Sequence, residues 1–97
     1  MSFQAYLDNA EAQTGITPRE FIALAEEQGY TLGSKPGLVT TWLKETYGLG
    51  HGHAGALSYV ITKGPNIGSK HVGADGSHSD PSEVLWLDGK DSKPEGY

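Results

Sequence analysis

Residues 35–63, KPGLVTTWLKETYGLGHGHAGALSYVITK, constrain the fold of this chain more than any other stretch. Their helical apolar periodicity is interrupted once, where Gly48, Gly50, Gly52 and Gly55 are interleaved with Leu49, His51, His53 and Ala54. Such a run stops one helix, makes a tight turn and lets another helix start, because glycine takes up left-handed backbone at little steric cost. Val39, Trp42, Leu43 and Tyr47, widened by Leu38, form the apolar stripe of the first of these helices. The second is expected over about 51–62, burying Ala54, Leu57 and Ile61 and ending at Gly64-Pro65. Gly52 and Gly55 each cost a helix about 1 kcal/mol relative to alanine. That cost points to another backbone or a ligand close by.

The N-terminal third carries a second helical pair. Phe3, Tyr6, Leu7 and Ala10 share one face of a helix over about 3–13, which Ser2 can cap and Gly15 can end. Thr17, Pro18 and Glu20 then spell a capping box with proline at the first helical position, and Ile16 and Phe21 are placed as its hydrophobic staple. The helix is expected over about 18–28, with Phe21, Leu24 and Ala25 buried and Gly29 closing it. From Tyr30 to Gly37 the glycines, Ser34 and Pro36 read as a connector.

After residue 65 the helical periodicity vanishes into glycine, serine, aspartate and proline. One apolar island, Val84-Leu85-Trp86-Leu87 before Asp88-Gly89, reads as a short strand running into a turn; it must dock on the helices or pair with another chain, since a lone strand is not stable. Residues 90–97 are expected to be disordered. The resulting expectation is an all-α fold: a four-helix domain of two helical hairpins over 1–65, with a helix-hairpin-helix-like turn at 48–54, and an irregular, partly docked extension over 66–97.

Composition removes several functions. There is no cysteine, so disulfides, thiolate metal sites and cysteine nucleophiles are excluded. No basic and apolar leader opens the chain and no apolar run approaches a membrane span, so a cytoplasmic protein without membrane contact is expected. The net charge of −5 is unevenly spread: residues 1–34 carry −4, residues 35–71 carry +3, and residues 72–97 carry −4.

Within the mildly basic centre, Gly48-Leu49-Gly50 followed by Ala54 and Leu57 has the spacing of a helix-hairpin-helix module. Glycines at those positions leave backbone amides facing outward at a helix N-terminus, where a phosphate can sit. The candidate phosphate-binding residues are therefore Gly48, Gly50, His51, Gly52 and His53, with Lys44 and Lys63, and the corresponding function is weak binding to a nucleic-acid backbone. The competing reading is a hairpin whose glycines serve packing alone. A histidine metal site drawing on His51, His53, His71 and His78 with Asp75 and Asp80 is a further alternative, but two histidines two residues apart diverge on a helix. Ser77-His78-Ser79-Asp80 offers nothing that would activate a nucleophile, and no phosphate loop or dinucleotide fingerprint occurs. No enzyme, cofactor or metal is expected.

The N-terminal MSFQAYLDNAEAQTGITPREFIALAEEQG and the later TWLKETYGLGHGHAGAL resemble the small bacterial family known as domain of unknown function 4287, over about residues 1–63. Its most specific parts here are Ser2 to Leu7, Thr14-Gly15 with Thr17-Pro18, Trp42-Leu43-Lys44, and Gly48-Leu49-Gly50 with Gly52-His53-Ala54. The lead-in Lys35-Pro36-Gly37-Leu38 departs from the lysine-alanine-glycine-glutamate common in that family. The resemblance implies a short, largely helical, cytoplasmic protein with a binding or accessory role and no established activity. The expected function is thus a non-enzymatic binding or protein-interaction module, with Val84, Leu85, Trp86 and Leu87 as the candidate surface for a partner or for self-association.

Overall fold

A computed structural model describes residues 3–66 and 84–93. Four helices account for most of them: α1 over Phe3–Thr14, α2 over Pro18–Glu27, α3 over Pro36–Tyr47 and α4 over His51–Lys63. A turn of 3-10 helix follows at Lys90–Ser92. No strand occurs among the described residues; the island at 84–87 makes a single antiparallel bridge, Asn66 with Val84, and a hydrogen bond from the Leu85 N–H to the Pro65 carbonyl at 2.9 Å.

Local chemistry sets the helix ends. The Thr17 hydroxyl accepts from the Glu20 N–H at 3.2 Å while the Glu20 carboxylate accepts from the Thr17 N–H at 3.0 Å, the reciprocal capping box that satisfies two donors the helix itself cannot. The Thr17 N–H, and after it the Thr17 hydroxyl, which donates to the same carboxylate oxygen at 3.0 Å, hold the Glu20 carboxyl below its ordinary pKa. At the other end, the Tyr30 N–H reaches the Ala25 carbonyl and the Gly29 N–H the Glu26 carbonyl, a Schellman closure that needs Gly29 at φ +89°. α3 begins earlier than expected. Pro36 and Gly37, read as connector, are its first residues, since proline at the first helical position forfeits a hydrogen bond the helix could not make.

The architecture is centred on α4. α3 packs most extensively against it, and α1 and α2 also make their helix contacts chiefly with α4. The first two helices are therefore not a self-packed hairpin, which corrects the picture of two hairpins. Being covered on several sides, α4 buries Ala56, Ser58, Val60 and Thr62 as well as Ala54, Leu57 and Ile61. Its two buried hydroxyls are satisfied: Ser58 donates to the Pro36 carbonyl at 2.7 Å and Thr62 to the Ser58 carbonyl at 2.8 Å. Leu7, Ala10, Phe21, Ala25, Val39 and Leu43 complete the core from the other helices. Trp42 joins Tyr30 and Tyr47 in a chain of rings, centroids 5.7 and 5.6 Å apart, that continues edge-on to Phe21 at 5.0 Å. Leu38, assigned to the buried stripe, is instead 56% exposed.

The groove left between α1 and α2 is filled by residues 84–93, here called the strap. Leu85 and Leu87 are 4% and 3% exposed and belong to the core, whereas Val84 is 44% exposed. Residues 90–93, expected to be disordered, are held: the Lys90 N–H donates to Glu11 at 2.9 Å and the Lys93 ammonium pairs with Asp8. Residues 94–97 lie outside the described set, as does Ser2, the candidate cap of α1.

Candidate functional site

The turn between α3 and α4 is built as its glycines suggest. Gly48 takes φ +69°, ψ 22° and its N–H closes on the Lys44 carbonyl at 3.1 Å, so α3 ends in a left-handed residue. Leu49 then turns inward, 3% exposed, and anchors the turn to the core. Gly50 is the N-cap of α4 and offers no side-chain cap, so the first backbone donors of α4 have no partner from a capping side chain.

Other features of the turn are explained by packing. A Cβ placed on Gly52 would lie 2.8 Å from Cε1 of Tyr6, so this glycine makes room for an aromatic ring of α1. The close neighbour anticipated at Gly52 is a side chain. Gly55 meets nothing within 4 Å, and packing gives no reason for it. His53 stands edge-on to Tyr6 with ring centroids 5.4 Å apart, and its Nε2 is buried without a hydrogen-bond partner. His51 is exposed.

The lysines are not gathered around the turn. Lys44 occupies the last turn of α3 and is adjacent to it, but Lys63 lies at the opposite end of α4, about 18 Å away at 1.5 Å per residue. Lys35, at the start of α3, is also remote from the turn, because Pro36 beside it touches Ser58 in the second half of α4. Of the expected site, Gly48, Gly50, His51, Gly52, His53 and Lys44 are brought together and Lys63 is not. No group of three potential metal ligands occurs among the described residues, and His71, His78, Asp75 and Asp80 lie outside them.

A different concavity was not anticipated. Between α2, the C-terminal half of α4 and the strap lies a pocket of about 230 Å³. Ile22, Leu32, Val60, Ile61 and Leu87 give it apolar walls, with Tyr30 beside them and Arg19 and Glu26 as its charged members. Arg19 is fixed by a two-pronged ion pair, Nε to Asp88 Oδ1 at 2.5 Å and Nη2 to Oδ2 at 3.3 Å. The pairing raises the Arg19 pKa and lowers that of Asp88, in both cases through the hydrogen bond first. The sequence signal for this pocket was weak, since its lining comes from four separate stretches of the chain.

Three large apolar residues are exposed among those described, Leu32, Leu38 and Val84. Leu32 precedes Gly33, whose N–H bonds the Thr62 carbonyl; Leu38 lies in the first turn of α3, whose Pro36 bonds Ser58; Val84 bridges Asn66 just beyond Pro65. All three thus belong to segments bonded near the C-terminal half of α4, and of the three Leu32 lines the pocket.

A family model described as "Domain of unknown function (DUF4287)" matches residues 2–63, more than half of the chain. No curated protein and no solved structure matches it. No described helix is long and apolar enough to cross a membrane.

Proposed function

The chain belongs to the DUF4287 family, whose description assigns no activity, and we propose its function from the geometry of the site: it is a non-enzymatic protein-interaction module that receives an apolar anchor side chain of a partner in the pocket between α2, α4 and the strap. The observation that carries this reading is a mostly apolar concavity with few charged groups, one of them paired with Asp88. Leu32, exposed and on the pocket's lining, adds apolar surface at its edge. Binding of an anchor there needs no proton transfer and no nucleophile.

Titrating the isotope-labelled full chain with indole, a minimal aromatic anchor, tests the reading. Amide shifts confined to Ile22, Tyr30, Ile61 and Leu87, and weakened by Leu32→Ser at the exposed rim, are expected. Shifts elsewhere, or none at millimolar indole, would refute it.

A second reading, backbone-directed nucleic-acid binding at the 48–54 turn, draws support from the uncapped start of α4 beside Lys44. With one lysine at the turn it predicts weak association that disappears with added salt. Replacement of Lys44 by glutamate abolishes such binding if the reading holds, while replacement of Lys63 leaves it intact.

A further inference from the structure

The strap is held in a way that differs from ordinary core packing. Most of the bonds that secure it are directed at its backbone. Gln4, only 3% exposed on α1, uses both atoms of its amide: Nε2 donates to the Trp86 carbonyl at 2.9 Å and Oε1 accepts from the Trp86 N–H at 2.7 Å. The Arg19 N–H, one of the donors that a helix start leaves over, bonds the Leu87 carbonyl at 3.0 Å. Glu11 accepts from the Lys90 N–H. Between these backbone clamps, Leu85 and Leu87 point into the core at i and i+2 while Trp86, between them, is only half-buried and bonds the Gly89 carbonyl through its own indole N–H. Asp88 meets the Arg19 guanidinium immediately after.

Backbone pairing combined with alternate side chains in apolar subsites is how proteins read extended peptides. Three residues that clamp the strap's backbone, Gln4, Glu11 and Arg19, lie within the part of the chain matched by the family model, which ends at residue 63; Pro65, whose carbonyl accepts from the Leu85 N–H, and the clamped segment itself lie beyond it. Groove and occupant thus come from distant parts of one chain, Gln4 and Trp86 being 82 positions apart.

We propose that the α1–α2 groove is a recognition site for extended peptides, occupied here by the chain's own strap, and that it accepts the same strap from a second copy of the chain. The pattern read is a large apolar residue, a half-buried tryptophan, a second large apolar residue, then aspartate and glycine. This goes beyond the anchor pocket, and the groove is made by α1 and the start of α2 whether or not that pocket is filled. Nothing in the clamps distinguishes a strap in cis from one in trans. The cis form has the advantage of an effective concentration in the millimolar range, so exchange appears when chains approach that concentration or when the cis strap is released. Reciprocal exchange closes a two-fold dimer.

The test uses the full chain with a protease recognition sequence placed between residues 72 and 80. After cleavage, a fluorescent peptide of residues 84–93 is added and its anisotropy followed, alongside a peptide in which both leucines are aspartate. Entry of the first peptide but not the second, weakened at least tenfold by Gln4→Ala in a protein whose helical circular dichroism is unchanged, is the expected result. The uncut chain refolded at about 1 mM should contain a dimer that reverts on dilution. The groove assignment is overturned if neither peptide enters, if both enter equally, if Gln4→Ala has no effect, or if cleavage melts the helices. Monomer at every concentration overturns the exchange.

Discussion

Gly52 and Gly55 lie three residues apart on α4, yet replacing each by alanine should change stability in opposite directions. At Gly55 the added methyl meets open space, so the substitution keeps the propensity gain of about 1 kcal/mol for alanine over glycine in a helix interior. At Gly52 the same methyl would sit 2.8 Å from Cε1 and 3.3 Å from Cζ of Tyr6. The ring cannot simply swing away without leaving its edge-on contact with His53, and overpacking of this kind costs roughly 1–3 kcal/mol. Gly52 is also in the first turn, where the propensity gain is smaller. The net expectation is a loss of about 1 kcal/mol for Gly52→Ala against a gain of just under about 1 kcal/mol for Gly55→Ala. Urea unfolding followed by tryptophan fluorescence resolves this, since with a slope of about 1 kcal/mol/M the two midpoints should separate by more than about 1 M. Tyr6→Leu supplies the control: if the ring is the obstacle, Gly52→Ala becomes neutral or stabilising in that background, and the cycle shows a coupling of about 1 kcal/mol. Equal stabilisation by both alanines in the parent protein would refute the claim that Gly52 exists to accommodate Tyr6.

Other consequences follow from the caps and the strap. Leu87→Ala should cost about 2 kcal/mol, the lower end for a buried leucine because one side of the site is open to the pocket; Val84→Ala, at an exposed position, should change the urea midpoint by less than about 0.5 kcal/mol equivalent. Thr17→Ala removes half of the capping box and should lower stability by about 1 kcal/mol in the same assay. The carboxyls of Asp88 and Glu20 are both held below their ordinary values, so their stabilisation is complete above the unfolded values near pH 4 and is lost as pH falls through the lower folded values. Melting temperature should accordingly be insensitive to these groups at pH 6–7 and fall below about pH 4, with Asp88→Asn falling less steeply than the parent.

The elements that sequence revealed were those fixed by neighbours in the chain. Thr17, Pro18 and Glu20 determine a helix start among themselves, and Gly29 and Gly48 mark stops that depend on backbone conformation, so those boundaries were readable to within a residue or two. The lead-in at Pro36 was misread because proline and glycine signal both a connector and a first helical turn. Leu38 was placed on the stripe by periodicity, but a helix facing chiefly one neighbour buries a narrower face, and Val39 and Leu43 fill it. Gln4 gave no signal at all: a polar residue on the buried side of an amphipathic helix makes sense only with its partner, and that partner is a backbone 82 residues later. The turn at 48–54 was legible as a shape, while the separation of Lys63 from it depended on the direction of α4. The pocket was hidden for the same reason as Gln4, its walls being distant in sequence.

The most direct test of this account is amide hydrogen exchange on the full chain, parent against Gln4→Ala. The N–H groups of Arg19, Leu85, Trp86 and Lys90, bonded respectively to Leu87, Pro65, Gln4 and Glu11, should be protected as one set in the parent. In Gln4→Ala that set should lose protection together, while amides in the second half of α4 keep theirs. Exchange of the Trp86 and Lys90 amides at free-peptide rates in the parent, or loss of protection spread evenly over α4 in the variant, would contradict the assignment of residues 84–93 as a clamped occupant of a groove that the helices build.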